Sequence, residues 1–234
     1  MKPKPTGWSA KYAAVFGEND VVAAYHTRPP YPKETITKLL ALARGGSVLD
    51  AGCGTGELAR RLAPRVGRVD AVDISPAMLE QARALPGADA SNIRWLHGRV
   101  EDARLRPPYA LIVCGDSVHW FDWPTAMQRF RTLLTEHGLL AIASREWLLD
   151  ERVRERLGPI YARYSWNSDF APRDPVDELV RRGLFVKLGA HVSTPQRWQP
   201  TLDEIVDCDF SMSGFARSRL SNPEEFVPRS PVRR

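Results

Sequence analysis

The sequence predicts an α/β fold built on a mostly parallel sheet with helices on both faces. Three observations carry that expectation. Short apolar runs alternate with amphipathic helical stretches between Lys33 and Ser144, the rhythm of strand-helix-strand units whose right-handed crossovers produce parallel sheets. Two of these runs end in a carboxylate, Asp50 and Asp73, and the first leads at once into a glycine-rich turn. The chain of 234 residues is 43% hydrophobic and 26% charged, a composition that supports one sizeable core and excludes disordered, collagenous and membrane classes.

The first core element is a helix over 33–44, where Ile36, Leu39, Leu40 and Ala43 share a face, Pro32 precedes and Gly45-Gly46 closes. Ser47–Asp50 is a short strand, followed by the glycine turn and a helix through Ala63. Val69–Asp73 is the second strand and Pro76–Leu85 the next helix. Ile93–Leu96, Ala110–Cys114 and Leu139–Ala143 supply strands three to five, with a helix over 125–135 joining the last two. After Ser144 the rhythm stops. Residues 146–180 are charged, aromatic and helix-leaning, with Trp147, Tyr161, Tyr164 and Trp166, and Phe185–Val192 reads as one further strand. Thr201-Leu-Asp-Glu204 is a capping-box pattern that starts a helix. Residues 1–9 lack an apolar run and read as a disordered leader rather than a signal peptide, and 221–234, rich in Pro and Arg, as a frayed tail. One domain over 10–220 remains, with a core at 47–144 and a helical insertion or substrate lid at 146–183.

The formal net charge of +5 is spread along the chain. Residues 1–150 hold 19 basic and 16 acidic side chains and residues 151–234 hold 14 and 12, with no block of like charge; such a diffuse excess marks a solvated surface rather than a groove that tracks phosphates. No nucleic acid is expected as a partner. Cys53, Cys114 and Cys208 have neither metal-ligand nor disulfide spacing, which fits a reduced cytoplasmic setting and no bound metal. The longest apolar runs fall far short of the ~20 residues of a membrane span, so no membrane association is expected.

The chemistry is concentrated in Val48-Leu-Asp-Ala-Gly-Cys-Gly-Thr-Gly-Glu57. Gly52, Gly54 and Gly56 lie between a strand end and a helix start, where the backbone turns tightly and a ligand can approach without meeting a Cβ. A dinucleotide fingerprint would need glycine where Glu57 stands, and the Lys-Ser/Thr ending of a phosphate-binding Walker loop is missing. The segment resembles motif I of class I S-adenosylmethionine-dependent methyltransferases. The resemblance implies a Rossmann-like methyltransferase sheet, S-adenosylmethionine as cofactor, and Asp50 with the three glycines among the cofactor-binding residues. Asp73, 17 positions beyond Gly56, ends a strand where a carboxylate can accept both ribose hydroxyls. Its context, Val72-Asp-Ile-Ser-Pro-Ala-Met-Leu79, resembles the family's next motif, in which Ile74 and Met78 pack on the adenine. Gly98-Arg-Val-Glu-Asp102 resembles the adenine-contacting segment but carries Arg99 where many members have an Asp or Asn acceptor. Either Glu101 or Asp102 supplies that acceptor, or the backbone at Val100 reads the ring alone.

Two further segments resemble a type-11 branch related to trans-aconitate methyltransferases: Tyr25-His-Thr-Arg-Pro-Pro-Tyr-Pro32, and Ser117-Val-His-Trp-Phe-Asp122 after strand four. They imply that Tyr25 and Arg28 approach the carboxylate end of the cofactor, that Gly115 lines its site, and that His119 and Trp120 line the methyl-transfer pocket. His119 is the candidate base for a hydroxyl acceptor, with a packed or hydrogen-bonded histidine as the alternative. Trp120 is the candidate substrate contact, or else joins Phe121 and Trp123 in closing the core. Arg145, Arg152 and Arg163 are candidate partners for a carboxylate acceptor by location only. The Pro-Pro-Tyr copies at 29–31 and 107–109 precede the wrong elements for nucleic-acid base methylation. Family members close their sheet with a final hairpin, and the chain offers no candidate for its last strand, which leaves an open edge or a gap. The expected function is methyl transfer to an oxygen of a small molecule by a monomer or homodimer. The alternative is a cofactor-binding subunit without turnover.

Overall fold

The computed structural model describes residues 4–145 and 151–226. The described residues fall into two compact units interleaved in sequence: 30–145 with 172–196, and 4–29 with 151–171 and 197–226. In chain order the helices are α1 (Ala10–Ala13), α2 (Asn19–Ala24), α3 (Lys33–Ala43), α4 (Glu57–Leu62), α5 (Pro76–Ala84), α6 (Trp123–Leu133), α7 (Glu151–Tyr164), α8 (Pro175–Arg181), α9 (Leu202–Phe210) and α10 (Pro223–Phe226). The strands are β1 (Ser47–Ala51), β2 (Arg68–Asp73), β3 (Ile93–His97), β4 (Tyr109–Gly115) and β5 (Leu134–Ala143).

The sheet of the first unit has the order β3-β2-β1-β4-β5, and every pairing is parallel. Its register sets Asp50 of β1 against Ala71 of β2 and Val113 of β4, so the glycine turn and the end of β2 emerge at one edge. The helical periodicity is realised. Ile36, Leu39 and Ala43 of α3 and Leu58, Ala59 and Leu62 of α4 pack with Val48, Val69, Leu111 and Val113 of the sheet. On α6, Trp123, Ala126, Met127, Phe130 and Leu133 form its buried stripe. Each fully buried side chain of leucine size contributes about 1.5–3 kcal/mol through removal from water.

Two expectations about the strands change. β5 begins at Leu134, directly after α6, and its pairing with β4 shifts register between Tyr109 and Leu111. Gly138 fits that irregularity because a Cβ there would come within 2.8 Å of the Tyr109 carbonyl oxygen. Phe185–Val192 is not a strand: a strand exists only with a ladder partner, and no described strand pairs with it. Val186, Leu188 and Val192 are 78%, 79% and 90% exposed, and the segment is tied to α3 instead. Glu34 accepts the Thr194 N–H at 2.8 Å and lies 2.9 Å from His191 Nε2. Among the described residues β5 therefore has a single neighbour, β4.

The second unit is held by Val206, Phe210, Phe215, Leu220 and Phe226, with Ala24 in the same cluster. The capping box that starts α9 is formed: Thr201 Oγ1 accepts the Glu204 N–H at 3.2 Å, and the Glu204 carboxylate accepts the Thr201 N–H at 2.7 Å. The expected leader and tail are both partly packed. Thr6–Trp8 is a 3-10 turn with Trp8 buried, anchored where Asn167 donates to the Gly7 carbonyl. Phe226 is buried in α10. Residues 227–234, and Trp147, lie outside the described residues.

Asp70, in mid-β2, is a buried acid held by several donors of the first unit. It accepts both Nε and Nη2 of Arg94, at 2.9 and 2.7 Å, the Arg106 N–H at 3.1 Å, and the Tyr109 hydroxyl. Burial alone would push its pKa up, but these donors overcome that and hold it below the usual carboxylate range. The linked stability is present above a pH of about 4 and lost as pH falls through the lowered value. Asp70→Asn should cost about 2–4 kcal/mol at pH 7, with the gap to wild type shrinking below about pH 4; urea unfolding at both pH values checks this.

Candidate active site

The carboxyl edge of the sheet is shaped by the way β1 runs into the glycine turn. The ladder with β2 continues past Ala51: Gly52 N–H and Cys53 N–H both donate to the Val72 carbonyl, at 2.8 and 2.9 Å. Gly54 N–H then donates to Asp73 Oδ2 at 2.7 Å, and Ser75 N–H to Oδ1 at 2.8 Å. A carboxylate offers about four lone-pair sites, so Asp73 retains capacity to accept from a ligand hydroxyl. Burial raises the Asp73 pKa, against the pull of the Ser75, Gly54 and Ile74 N–H groups and of nearby His97.

Gly52, Gly54 and Gly56 have φ of +69°, +54° and +72°, the left-handed region that glycine adopts without steric cost. Two of them also face close approaches. A Cβ on Gly52 would lie 2.6 Å from Ser117 Cβ, and one on Gly56 would lie 2.2 Å from the Trp95 ring. These two glycines are thus packed against side chains of the same unit, and Gly54 and Gly56 are buried.

Asp50 points the other way. Its carboxylate is 1% exposed and accepts the Ala59 N–H of α4 at 3.0 Å, so it ties the strand to the helix beneath the turn. Burial pushes its pKa up to about 7, helped by Asp73 and Glu57 and opposed by the Ala59 N–H.

The residues expected against an adenine separate into two kinds. Ile74 is 61% exposed beside Asp73, an open apolar surface at the edge, whereas Met78 is 1% exposed and packed within α5. Val100 is buried and Asp102 exposed. Glu101 accepts the Asp122 N–H at 2.7 Å, at the start of α6, and lies 3.5 Å from Arg99 Nε. Arg99 itself is mostly exposed.

Beyond β4, Ser117 donates to the Ala51 carbonyl at 2.6 Å, and a 3-10 turn over Val118–Trp120 carries His119 and Trp120. Both are half-buried, with ring centroids 4.5 Å apart. Phe121 and Trp123 are buried, and Trp123 Nε1 donates to the Val118 carbonyl. Those two close the core, and Trp120 is the ring left with open surface. In the second unit, Tyr25 and Arg28 stack with the guanidinium 4.1 Å from the ring, and Arg28 donates to Ser211 Oγ at 2.8 Å. Arg152 and Arg163 lie on exposed positions of α7 in that same unit.

A cluster that sequence reasoning missed sits at the same edge. Asp116 accepts the Tyr31 hydroxyl at 2.7 Å and Arg145 Nε at 2.8 Å; Glu57 accepts the Tyr31 N–H at 2.8 Å and faces Arg145 Nη1 at 3.5 Å. Arg145 also stacks over the Tyr31 ring at 4.4 Å. These residues are scattered through 115 positions of sequence, and only Arg145 is singled out by location, so no local spacing joins them. Among the described residues no group of His, Cys, Asp and Glu is arranged to hold a metal ion, and no helix is long and apolar enough to cross a membrane.

An all-parallel sheet with a glycine cradle after the first strand and a carboxylate ending the second is a nucleotide-binding Rossmann-like unit. Residues 48–138, which carry the glycine turn and the strand ends at Asp50 and Asp73, match the family model described as a methyltransferase domain. An uncharacterized methyltransferase of Mycobacterium bovis is 40% identical over 99 residues, 42% of this chain and 49% of that protein. A malonyl-[acyl-carrier protein] O-methyltransferase of Acetivibrio thermocellus is 33% identical over 100 residues, 42% of this chain and 35% of that one. The matches thus span about half or less of these relatives. A solved structure from Anaeromyxobacter dehalogenans, described as a candidate type II methyltransferase, shares the fold: TM-score 0.59 at 24% identity, over 86% of this chain and 87% of that one.

The raised pKa of Asp50 has a sign that can be checked. Between about pH 4 and its folded value of about 7 the folded protein holds a proton that the unfolded chain releases. Its contribution to stability is present below that window and lost as pH rises through it. Asp50→Asn keeps an acceptor for Ala59 N–H and removes the titration. Thermal unfolding should therefore depend less steeply on pH between about 4 and 7 in the variant than in wild type.

Proposed function

We propose that the protein transfers a methyl group from S-adenosylmethionine to an oxygen, hydroxyl or carboxylate, of a small-molecule acceptor. The observation that carries this reading is Asp73. Its carboxylate is latched to the glycine cradle through Gly54 N–H and to the start of α5 through Ser75 N–H, and keeps capacity to accept further donors. That pattern suits the adjacent hydroxyls of a ribose. The exposed Ile74 gives an adenine an apolar face, and Glu101, Asp102 or the Val100 backbone accepts from its amine. The Glu101 carboxylate already receives one N–H from Asp122 and retains capacity for another. Oxygen as the acceptor atom is supported by the relative named as an O-methyltransferase.

S-adenosylmethionine supplies an electrophilic methyl on a positively charged sulfur and leaves as neutral S-adenosylhomocysteine, which needs no proton. The protein's part is to hold the acceptor in line and close. For a hydroxyl acceptor it must also take a proton, and His119, on the turn that follows β4, is the base in this reading. A carboxylate acceptor needs no base. Trp120, half-buried beside the His119 ring, offers an aromatic face to the acceptor or to the sulfonium.

Asp73→Ala should weaken S-adenosylhomocysteine binding by about tenfold to a hundredfold, measured by calorimetry; unchanged affinity would remove the ribose assignment. Methyl transfer followed across a panel of acids, phenols and amines should yield products methylated on oxygen. Products from amines alone would overturn the acceptor class, and no product despite intact cofactor binding would favour a binding subunit without turnover. With a hydroxyl acceptor, His119→Ala should lower turnover about a hundredfold or more while cofactor affinity holds; equal loss in both would assign the histidine a structural role.

A further inference from the structure

The described residues other than glycine with positive φ are Arg44, at +50°, and Asp116, at +51°. Arg44 follows the last turn of α3, where a left-handed residue is a common way to end a helix. Asp116 has no such excuse. It follows β4 at the carboxyl edge of the sheet, and a non-glycine residue held in this region of backbone space persists only where its surroundings over-determine it. Here they do so from three directions. The Asp116 N–H donates to the Ala143 carbonyl at the end of β5, its carboxylate accepts the Tyr31 hydroxyl, and the same carboxylate receives both N–H and Nε of Arg145.

The consequence falls on the next residue. The left-handed step turns the chain from β4 back over β1, so that Ser117 Oγ reaches the Ala51 carbonyl at 2.6 Å and Ser117 Cβ occupies the space that Gly52 leaves free. Gly52 is the first residue of the cradle, two positions from the Gly54 N–H that latches Asp73. Ordinary backbone at 116 would lift Ser117 off Ala51 and Gly52, and the cradle would lose the contact that backs it.

We propose that Asp116 is a positioning residue for the cofactor site: its left-handed backbone, clamped by Tyr31 and Arg145, presses Ser117 against the glycine cradle. This inference rests on the cofactor reading above. What matters in it is the backbone conformation and not the ion pair as such, and substitution separates the two. Asp116→Gly and Asp116→Ala both delete the carboxylate, but only glycine takes φ near +50° without penalty. Asp116→Asn keeps an acceptor oxygen and the tolerance for this region but discards the charge.

The test is calorimetric binding of S-adenosylhomocysteine at 25 °C to the full chain, with far-UV circular dichroism establishing that each variant is folded. Asp116→Gly and Asp116→Asn should stay within about threefold of wild type and Asp116→Ala should bind at least about tenfold more weakly. Equal losses in the glycine and alanine variants would assign the effect to the ion pair and overturn the proposal, as would an alanine variant that binds like wild type. Should the alanine variant not fold, Tyr31→Phe decides, since it removes the clamping hydroxyl while leaving the ring. A loss of about threefold or more supports the proposal, and unchanged affinity overturns it. Wild-type protein with no measurable affinity would overturn the cofactor reading itself, an outcome distinct from any ranking of the variants.

Discussion

The parallel ladder between β1 and β2 is the constraint from which the rest of this edge follows. Five residues of β1 pair with five of β2, and the hydrogen bonding does not stop where β1 does. Gly52 and Cys53 continue it onto the Val72 carbonyl, and Gly54 passes it to the Asp73 side chain. A turn made of left-handed glycines would otherwise be the most pliable segment of the unit, because glycine has more conformational freedom to lose than any other residue. Tied at three successive amides, it becomes an extension of the sheet. The carboxylate that would meet the ribose is thus set by the same bonds that set the loop.

That arrangement concentrates negative charge in a poorly solvated place. Asp50 and Asp73 lie within electrostatic reach of each other and of Glu57, and the pKa of Asp50 reaches about 7 as a result of burial and this mutual repulsion. The first unit answers in two ways. Backbone N–H groups of Gly54, Ser75 and Ala59 are aimed at the carboxylates, and Arg145 bridges the neighbouring acids Asp116 and Glu57 while resting on the Tyr31 ring. A cationic cofactor would be received by an edge whose fixed charges already favour it. The inner acid of β2, Asp70, follows the opposite logic: with Arg94, Tyr109 and Arg106 around it, its charge is satisfied and belongs to packing.

Much of the cofactor half was legible because its signals are local. A strand end, a run of alternating glycines and a strand-terminal aspartate are each fixed by a few consecutive residues, and β1 and β2, which carry them, are neighbours in the sheet. The stripe of α3 read correctly for the same reason. Phe185–Val192 did not, since an alternating apolar run has strand propensity but no strand without a partner, and no described strand lies beside it. Met78 and Ile74 were equivalent in sequence, four positions apart. Only packing separates them, one inside α5 and the other open at the edge.

The sequence by itself determined the class of fold, the glycine cradle, Asp73 and the carboxyl edge on which they meet, because backbone geometry and short-range spacing suffice for those. The tertiary structure decided the rest. It turned Asp50 inward onto Ala59, committed Glu101 partly to the start of α6, and sorted Trp120 from the buried Phe121 and Trp123. It also assembled Tyr31, Glu57, Asp116 and Arg145 at one point, from the approach to α3, the start of α4 and the ends of β4 and β5. The physical reason is the crossover topology itself. Parallel strands that are neighbours in space are separated in sequence by whole helices, so side chains at adjoining strand ends interact strongly while leaving no periodicity or spacing that a linear reading can detect.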